Sequence, residues 1–500
     1  MTFAAAMLVA GGVLFGLVLL LDVQEIDRTA QLDARTLFDL VKLSFGVVAG
    51  AGALVALVVA YRRQRVDEAG AHREATRLHT ERFTAAVEQL GSGSPAVRLG
   101  GVHALAGLAD DAPDRGLRQT CIDVLCAYLQ LPFAPDPGND PSHREEHHRY
   151  LAFGKVRHTI MRLIGDHYRR PRGTHRSWQG CDLDLTGVTI DGPMDFTGAV
   201  FSGGTVDFSR AVLSGGAVDF SRTVLSGSAV NFSGAVLSSG TVDFSGVMFS
   251  DGTVDFGGAV LSGGAVHFSG AVLSSGTVDF GRVTLSGGTV NFGSTMFSGS
   301  AVDFVGAEFS DGTADFNGAE FSSGTVDFSR AVFSGGAVDF SSAVFSGCMV
   351  DFGRAVFSGG VVHFGGAEFS SGMVDFGRAV CSGSAVHFGS AVFAGGTVYF
   401  GRAVFAGGAV HFVGTEFSGG AVNFVGAEFS RGAVDFSGAV FSGSTVHFGS
   451  VAGPVPSGLL GAVGTPAPAT VTLPSTWLPS HPEDRVVGSD DDPPARTPPR

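Results

Sequence analysis

Lysine, tryptophan and charge in general are scarce in this 500-residue chain. The only lysines are Lys42 and Lys155, and 16% of the residues are charged. Between Asp182 and Phe448 there are 23 acidic residues but only 8 arginines, so this segment accounts for the whole net charge of −15. Because contacts with phosphate need Lys and Arg, this balance argues against direct nucleic-acid binding by the segment.

Cysteine is also rare: five are scattered along the chain. An odd, dispersed set does not make a disulfide framework, so the sequence predicts a reducing compartment. Cys121 and Cys126 are five positions apart in a predicted helix, a spacing that matches neither a zinc nor a redox motif. We therefore expect them to be core residues.

Motifs for catalysis are missing as well. The chain has no Gly-x-Ser-x-Gly, no phosphate-binding loop and no metal constellation, so it predicts no enzyme, no cofactor, and no catalytic or metal-binding residue. One histidine-rich group, His143, His147 and His148 with Glu145 and Glu146, could place two ligands on one helix face. No third ligand follows at a defined spacing, so a solvated helix end is expected there.

What the chain has in abundance is a 12-residue phrase, repeated from Met194 to Phe448. Phe occupies every twelfth position from Phe196 to Phe448, 22 times without exception, and Phe or Leu follows five positions later except at Cys381. The Val-x-Phe and Ala-x-Phe alternation predicts short strands with one apolar face, and Ser-Gly-Gly predicts turns. Units this small must stack, which predicts a β-solenoid with interior phenylalanine ladders.

One coil of this solenoid could contain one phrase or two. Arginines recur at the same place in every second phrase, at Arg330, Arg354, Arg378 and Arg402, and histidines do so at His363, His387 and His411. This spacing favours four-sided coils with a 24-residue period, hence 11 coils and a rod of about 53 Å at ~4.8 Å per coil. A two-sided coil of a single phrase would make a rod about twice as long.

Phrases such as Ala199-Val-Phe201-Ser-Gly and Ala331-Val-Phe333-Ser-Gly resemble the pentapeptide-repeat family, and Gln179-Gly-Cys-Asp-Leu183 resembles its first coil. The resemblance implies a right-handed quadrilateral β-helix with four five-residue sides. This chain departs from the pattern because two extra residues enter every second side, and we expect them to bulge one pair of opposite corners.

The N-terminus predicts a membrane hairpin. Residues 3–21 and 43–61 are apolar and long enough to contact the lipid bilayer as two spanning helices. Arg62, Arg63 and Arg65 follow the second span, whereas the connecting loop is acidic, so the positive-inside tendency places both termini and the repeats in the cytoplasm of a multi-pass membrane protein. Residues 3–21 could instead be a cleaved signal peptide, although they lack a basic n-region and a cleavage site.

The resulting domains are two transmembrane helices over 1–65, a helical connector over 66–180, the β-solenoid over 181–449 and a Pro-rich disordered tail over 450–500. Helical periodicity predicts connector helices near 95–109, 117–131 and 145–170, the first with a HEAT-type phrase. The region before Cys181 and the segment 451–463 are expected to cap the solenoid ends.

The last connector helix has a basic run with two alternative roles, contact with anionic lipid headgroups or balance of the acidic solenoid. The run comprises Arg157, Arg162, Arg169, Arg170, Arg172 and Arg176.

Two functions fit these features. The first is a membrane-tethered, non-enzymatic scaffold that presents an acidic, Ser-rich solenoid to an unknown protein partner. The second follows from the family resemblance, since some pentapeptide-repeat proteins mimic duplex DNA and bind topoisomerases. The scaffold is the preferred hypothesis, because the membrane anchor and the Gly/Ser-rich surface fit mimicry less well.

Overall fold

The computed structural model describes residues 11–12, 15–16, 33–133, 136–138, 140–431, 433–464 and 470–478. The chain divides into two compact units, Met1–Arg82 and Phe83–Arg500. Most of the predicted first span, residues 3–21, and most of the acidic loop lie outside the described residues. The same holds for the tail beyond residue 478.

A long helix, α1, spans Ala34–Leu90 without a break at the predicted boundary near residue 65. Among the described residues, one helix is long and apolar enough to cross a membrane: this segment runs from Val41 to Leu90 and contains an 18-residue window of mean hydropathy 2.3 with no buried residue. Its large apolar side chains face outward, as Leu54 at 65% and Leu57 at 67% exposure illustrate. The predicted second span, residues 43–61, lies within it.

Three further helices form the connector: α2 spans Pro95–Asp110, α3 spans Arg115–Gln130 and α4 spans Arg144–Tyr168, the last preceded by a 3-10 turn over Pro141–His143. Their boundaries follow from local signals. Pro95 occupies the first turn of α2, and the side chain of Asp114 caps α3 by accepting a hydrogen bond from the Leu117 amide at 2.9 Å.

The connector helices share one core with the first coil of the solenoid. Tyr168 at the end of α4 stacks on Phe201 with 5.3 Å between ring centroids, and its hydroxyl donates to the Cys181 carbonyl at 2.8 Å. A Cβ at Gly165 would lie 2.2 Å from the Asp195 carbonyl oxygen, so glycine allows α4 to approach the coil. The prediction that this region caps the solenoid is therefore supported by direct contacts.

The solenoid has a 24-residue coil period. Val206 pairs in parallel with Val230, and Val230 pairs with Val254, so equivalent residues of successive coils lie side by side. The four strands of one coil form four sides, and successive coils build about 12 turns. The prediction of two phrases per coil is thus confirmed. The sequence predicted 11 coils because it counted only the phenylalanine register, whereas strands also form at both ends of that register.

We number the sides in chain order. The strands of side 1 are Leu183–Asp184, Thr205–Asp207, Ala229–Asn231, Thr253–Asp255, Thr277–Asp279, Thr397–Tyr399, Ala421–Asn423, Thr445–His447 and Val471–Thr472. The strands of side 2 are Thr189–Ile190, Val212–Ser214, Val236–Ser238, Val260–Ser262, Thr284–Ser286, Glu308–Ser310, Val332–Ser334, Val356–Phe357, Val380–Cys381, Val404–Phe405 and Glu428–Phe429.

The strands of side 3 are Pro193–Asp195, Ala217–Asp219, Thr241–Asp243, Ala265–His267, Thr289–Asn291, Thr313–Asp315, Ala337–Asp339, Val361–His363, Ala385–His387, Ala409–His411 and Ala433–Asp435. The strands of side 4 are Val200–Ser202, Val224–Ser226, Met248–Ser250, Val272–Ser274, Val392–Phe393, Glu416–Phe417 and Val440–Phe441. Four strands continue from side 4 through the corner into side 1, namely Met296–Asp303, Glu320–Asp327, Val344–Asp351 and Glu368–Asp375.

Phenylalanine ladders fill the interior. The rings of Phe304 and Phe328, one coil apart, are parallel with centroids 4.7 Å apart. Phe316, on the opposite side of the coil, meets Phe328 edge-to-face at 87° and 6.1 Å. Both geometries are favourable for aromatic quadrupoles, and the alternation of stacked and T-shaped pairs lets large rings fill a narrow core.

The two extra residues of each phrase enter at opposite corners of the coil, in turn after side 2 and after side 4. After side 2 they fold against the preceding coil, where a Cβ at Gly264 would lie 2.7 Å from the Cβ of Leu237. At the other corner the pairing of Met296–Asp303 with Glu320–Asp327 shifts register around Ser298. The expected irregularity at opposite corners is therefore present, and most coils have glycine at the tight position, with small residues such as Ser384 and Cys348 in the others.

The final coil is covered by a second cap. A short helix, α5, spans Leu459–Val463, and Val471 pairs with Val446 of the last full side 1 strand. The Trp477 ring packs on Phe448 at 5.3 Å, and its indole N–H donates to the Gly453 carbonyl at 3.1 Å. The cap thus extends to residue 478, although the sequence predicted a disordered tail from residue 450. The reason is that apolar residues after the prolines cover an otherwise open strand edge.

Candidate interaction surface on the solenoid

Outward-facing residues that recur once per coil form straight columns, because each coil pairs in register with the next. On side 1 the central outward position holds six consecutive aspartates, which we call the aspartate column. Its members are Asp255, Asp279, Asp303, Asp327, Asp351 and Asp375. One carboxylate per coil corresponds to about 4.8 Å between neighbours.

Each carboxylate of the aspartate column is held by its own backbone. One oxygen of Asp303 accepts a hydrogen bond from the Val305 amide at 2.6 Å, and Asp351 accepts one from the Gly353 amide at 2.6 Å. The other members bind the amide two positions ahead in the same way. This turn geometry uses one oxygen and orients the whole column uniformly.

Stacking the carboxylates affects their acidity. Burial raises the pKa of Asp303, the Val305 amide lowers it in part, and the neighbouring Asp279 and Asp327 raise it further. The pKa of Asp351 is raised by burial and by its neighbours Asp327 and Asp375, again against the effect of a backbone amide. The column is therefore a line of like charges in which protonation, or a bound cationic group, relieves repulsion.

Beside the aspartates runs the arginine column, three positions further along the chain. It comprises Arg330, Arg354, Arg378 and Arg402, with Arg282 separated from them by Gly306. The backbone of Arg330 is left-handed with φ of 60°, and Arg378 has φ of 62°. Such a conformation costs a non-glycine residue roughly 1–2 kcal/mol, and glycine occupies the same position at Gly306 and Gly426. The arginines are thus present at positions where glycine would be more stable.

The arginine column does not neutralise the aspartate column. Within the part of the chain that the structure describes, none of these arginines forms an ion pair with an acidic side chain. Both columns line shallow grooves, one of about 660 Å³ that includes Asp351, Arg354 and Tyr399, and one of about 440 Å³ that includes Asp279 and Arg282. Side 1 therefore offers two parallel lines of opposite charge to a partner.

Side 3 carries a shorter column of histidines. His363, His387 and His411 stack with centroids 5.0 and 4.8 Å apart. This confirms that residues two phrases apart occupy equivalent positions in successive coils. Burial lowers the pKa of His387, and so do His411 and His363. Asp339 precedes this column and Asp435 follows it, one coil away at each end. His387 is therefore favoured in its neutral form.

Sides 2 and 4 are different in character, because their central outward positions hold mainly Val and Met. Met248 is 52% exposed and Val440 is 55% exposed, both on side 4. Glutamates such as Glu308 and Glu320 interrupt these rows. Adjacent sides of the rod thus differ, because sides 1 and 3 carry charged or titratable rows and sides 2 and 4 carry mainly apolar rows.

The histidine-rich helix start does not assemble a ligand set. His147 binds Asp136 through Nδ1 at 2.7 Å, and no group of three potential metal ligands occurs among the described residues. Cys121 and Cys126 are buried in the connector core, as predicted, and burial raises the pKa of the Cys121 thiol to about 12. None of the five cysteines forms a disulfide.

The basic run of α4 is largely occupied with the protein itself. Arg157 is buried and donates to the Leu129 and Thr189 carbonyls at 2.8 and 2.7 Å. Arg169 pairs with Asp195 of the first coil at 2.5 Å. These contacts favour the role of balancing the solenoid over that of contacting lipid headgroups. The sequence did not predict that Arg157 points inward, because nothing in its spacing separates it from its exposed neighbours.

In comparisons with known proteins, no family model, no curated protein and no solved structure matches the chain. The fold by itself establishes a β-solenoid of about 12 turns with regularly spaced phenylalanines, preceded by a helical region.

Proposed function

We propose that this protein is a membrane-tethered, non-enzymatic scaffold whose solenoid presents side 1 to a protein partner. The observation that carries the proposal is the pair of unneutralised columns, six aspartates beside a line of arginines with left-handed backbone. Alternating lines of opposite charge suit a partner surface with complementary charges, which favours specificity and rapid association.

A non-enzymatic role is supported by the repetition itself. Catalysis needs different groups that converge on one reacting atom, whereas the columns repeat one group in a line. The solenoid is also rigid, since each coil is bonded to the next through four sides. We therefore assign it the role of a platform with a long, uniform face.

The membrane tether rests on the exposed apolar part of α1. In the full proposal residues 3–21 form the first of two spans. Both termini and the solenoid then face the cytoplasm, because Arg62, Arg63 and Arg65 follow the span over residues 43–61. Thiols that form no disulfide fit that compartment. A protease added outside intact cells should leave the solenoid uncut, and its digestion there would contradict this orientation.

We also propose that the solenoid belongs with the pentapeptide-repeat proteins. Four sides per coil, inward Ala or Val alternating with Phe or Leu, and turns of Ser and Gly support this assignment. The two-residue corner insertion is a specific variation of that pattern. The second residue of each inserted pair packs against the preceding coil, as Gly264 does, so the insertions lengthen the coil to its 24-residue period without breaking the ladders.

The scaffold proposal is tested by neutralising side 1 without disturbing the fold. The triple variant Asp303→Asn, Asp327→Asn and Asp351→Asn keeps the oxygen that binds the backbone amide, as Asn291 does naturally with the Gly293 amide at 2.7 Å. Partners captured by crosslinking from membranes should be reduced at least tenfold, about 1.4 kcal/mol, because several charge pairs are lost together.

The matched control places the same substitution on side 3, in the triple variant Asp219→Asn, Asp243→Asn and Asp339→Asn. These aspartates accept the same hydrogen bond from the amide two positions ahead. Equal recovery of partners with both triple variants would contradict the assignment to side 1. Loss of partners with the side 3 variant alone would show that the interface lies on side 3.

A second candidate, mimicry of duplex DNA toward a topoisomerase, is favoured by the unbroken run of carboxylates on a single side. Its charge density argues against it, because the column has one charge per ~4.8 Å and duplex DNA has one per ~1.7 Å. The adjacent arginines lower the net charge further. If the detergent-solubilised full chain fails to inhibit a topoisomerase in a supercoiling assay, this candidate is rejected.

A further inference from the structure

A cavity of about 440 Å³ lies in the connector, between α2, α3, α4 and the loop that follows α3. Four aromatic side chains contribute to its wall, Tyr128, Phe133, Tyr150 and Phe153. Phe133 and Tyr150 are tilted by 30° with centroids 5.1 Å apart. The volume falls within the roughly 300–1,000 Å³ of small-molecule sites, and rings of this kind favour a planar ligand.

Three arginines also line the cavity: Arg98, Arg149 and Arg157. The only acidic lining residue in the described part of the chain is Glu146, so the wall is net positive. Arg149 lies 3.5 Å from Glu145 and its side chain is 62% exposed, which places it at the rim. A positive, partly enclosed cavity concentrates anions.

Arg157 is the unusual member because it is 2% exposed and has no carboxylate partner among the described residues. Its terminal nitrogens donate to the Leu129 and Thr189 carbonyls, whereas its Nε finds no acceptor there. Burial lowers its pKa. The charge of Asp191 opposes this effect in part, but Asp191 forms no ion pair with Arg157 within the described chain. A buried charge without a direct ion pair is costly, and an anion in the adjacent cavity would offset that cost.

Arg98 is a second cationic residue of the cavity wall, and neighbouring rings hold its side chain in place. Its guanidinium lies 4.5 Å from the Phe153 ring centroid and 5.7 Å from that of Tyr128, and one terminal nitrogen donates to the Tyr128 hydroxyl at 2.9 Å. A guanidinium stacked between rings presents its edge to a carboxylate or phosphate in the plane of the rings. The cavity thus combines a planar aromatic wall with in-plane positive charge.

We propose that this cavity binds a small aromatic anion, a planar ring that carries a carboxylate or a phosphate. The site is independent of the scaffold surface, since it lies in the connector and uses none of the side 1 columns. Arg157 connects the site to the solenoid, because its guanidinium donates a hydrogen bond to the Thr189 carbonyl of the first side 2 strand. A ligand that neutralises Arg157 would therefore also stabilise the junction between connector and solenoid.

Calorimetric titration of the detergent-solubilised full chain tests the proposal with two matched pairs of probes. 2-Naphthyl phosphate is compared with 2-naphthol, and 2-naphthoate with 2-naphthamide, so each anion has a neutral partner with the same ring. At least one anion should bind about tenfold or more tightly than its neutral partner, because hydrogen bonds to a charged group contribute ~1.5–3 kcal/mol. The anion that binds identifies the acidic group.

Two variants locate the site. Arg98→Gln and Arg149→Gln should each weaken binding of that anion, Arg98→Gln by about tenfold and Arg149→Gln by less, because its rim position is screened by water. The control Arg162→Gln removes an exposed charge of the same helix that lies outside the cavity. Binding of neither anion, equal binding of the neutral partners, or equal loss with Arg162→Gln would overturn the proposal. Circular dichroism confirms that each variant is folded.

Discussion

Replacing Asp303 by Asn should stabilise the solenoid at neutral pH. The substitution removes a charge between Asp279 and Asp327, whereas an Asn oxygen can still accept the hydrogen bond from the Val305 amide. Two unit charges about 4 Å apart in water repel by about 1 kcal/mol, and salt screens exposed pairs. Since Asp303 is only partly buried, we expect a gain of roughly 0.5–1 kcal/mol.

The pH dependence follows from the raised pKa of Asp303 in the folded state. The carboxylate of Asp303 binds a proton more tightly in the folded state than in the unfolded one. The stability gained from this protonation is fully present below the unfolded pKa of about 3.9 and is lost as the pH rises through the folded pKa. The advantage of Asn over Asp should therefore be present at pH 7 and disappear below about pH 3.9.

Amide hydrogen exchange measures this effect locally, which suits a repeat protein whose stability is a sum over neighbouring coils. After correction for intrinsic rates, amides of Met296–Asp303 should exchange roughly two to five times more slowly in Asp303→Asn at pH 7, as expected for about 0.5–1 kcal/mol. Asp435→Asn is the opposite control, because hydrogen bonds from Ser437 and the nearby His411 lower the pKa of Asp435 and favour its charge. Faster exchange in Asp303→Asn at pH 7, or slowing that persists at pH 3, would refute the reasoning.

Four further outcomes are expected. Phe328→Ala should cost about 3–5 kcal/mol in urea unfolding, because its ring stacks on both neighbouring coils, whereas the adjacent Ser329→Ala should cost little. Arg330→Gly should raise local stability by roughly 1 kcal/mol in hydrogen exchange, since it relieves a left-handed backbone. His387→Asn should make the stability of side 3 less sensitive to acid. Because the pKa of His387 is lowered in the folded state, the stability that the neutral imidazole contributes is present above about pH 6.5 and is lost as the pH falls through the folded value. Unchanged melting between pH 7 and 5 in both proteins would contradict this. Trp477→Ala should speed exchange in Thr445–His447 more than in Thr205–Asp207, because it uncovers the last coil; equal effects at both strands would show that Trp477 is not a local cap.

Much of the fold follows from the sequence, because a repeated phrase restricts each copy to the same conformation and environment. Once Phe recurs at every twelfth position, each copy must occupy the same environment, and Phe316 and Phe328 can only line opposite interior walls. The recurrence of arginine and histidine in every second phrase then distinguishes four sides from two, because only residues one coil apart become neighbours. The connector helices are also evident, since Pro95 and Asp114 are local start signals.

The caps and the cavity could not be read in the same way. Arg157 and Arg162 have the same residue type and belong to the same basic run, yet only Arg157 turns inward, because the Leu129 and Thr189 carbonyls lie where its guanidinium can reach them. Trp477 follows a proline-rich stretch typical of a tail, and it is held by Gly453 and Phe448. These partners are distant in sequence and follow no period, so no local pattern predicts them.

The linear order of residues thus determined the period, the strand chemistry, the interior ladders and the acidic balance of the solenoid, because each depends on what lies a fixed number of positions away. Only the tertiary structure decided that the aspartate column forms no ion pair within the described part of the chain, and that the connector encloses a positive aromatic cavity. Those properties depend on which surfaces meet, and contact between non-repeating segments is set by packing.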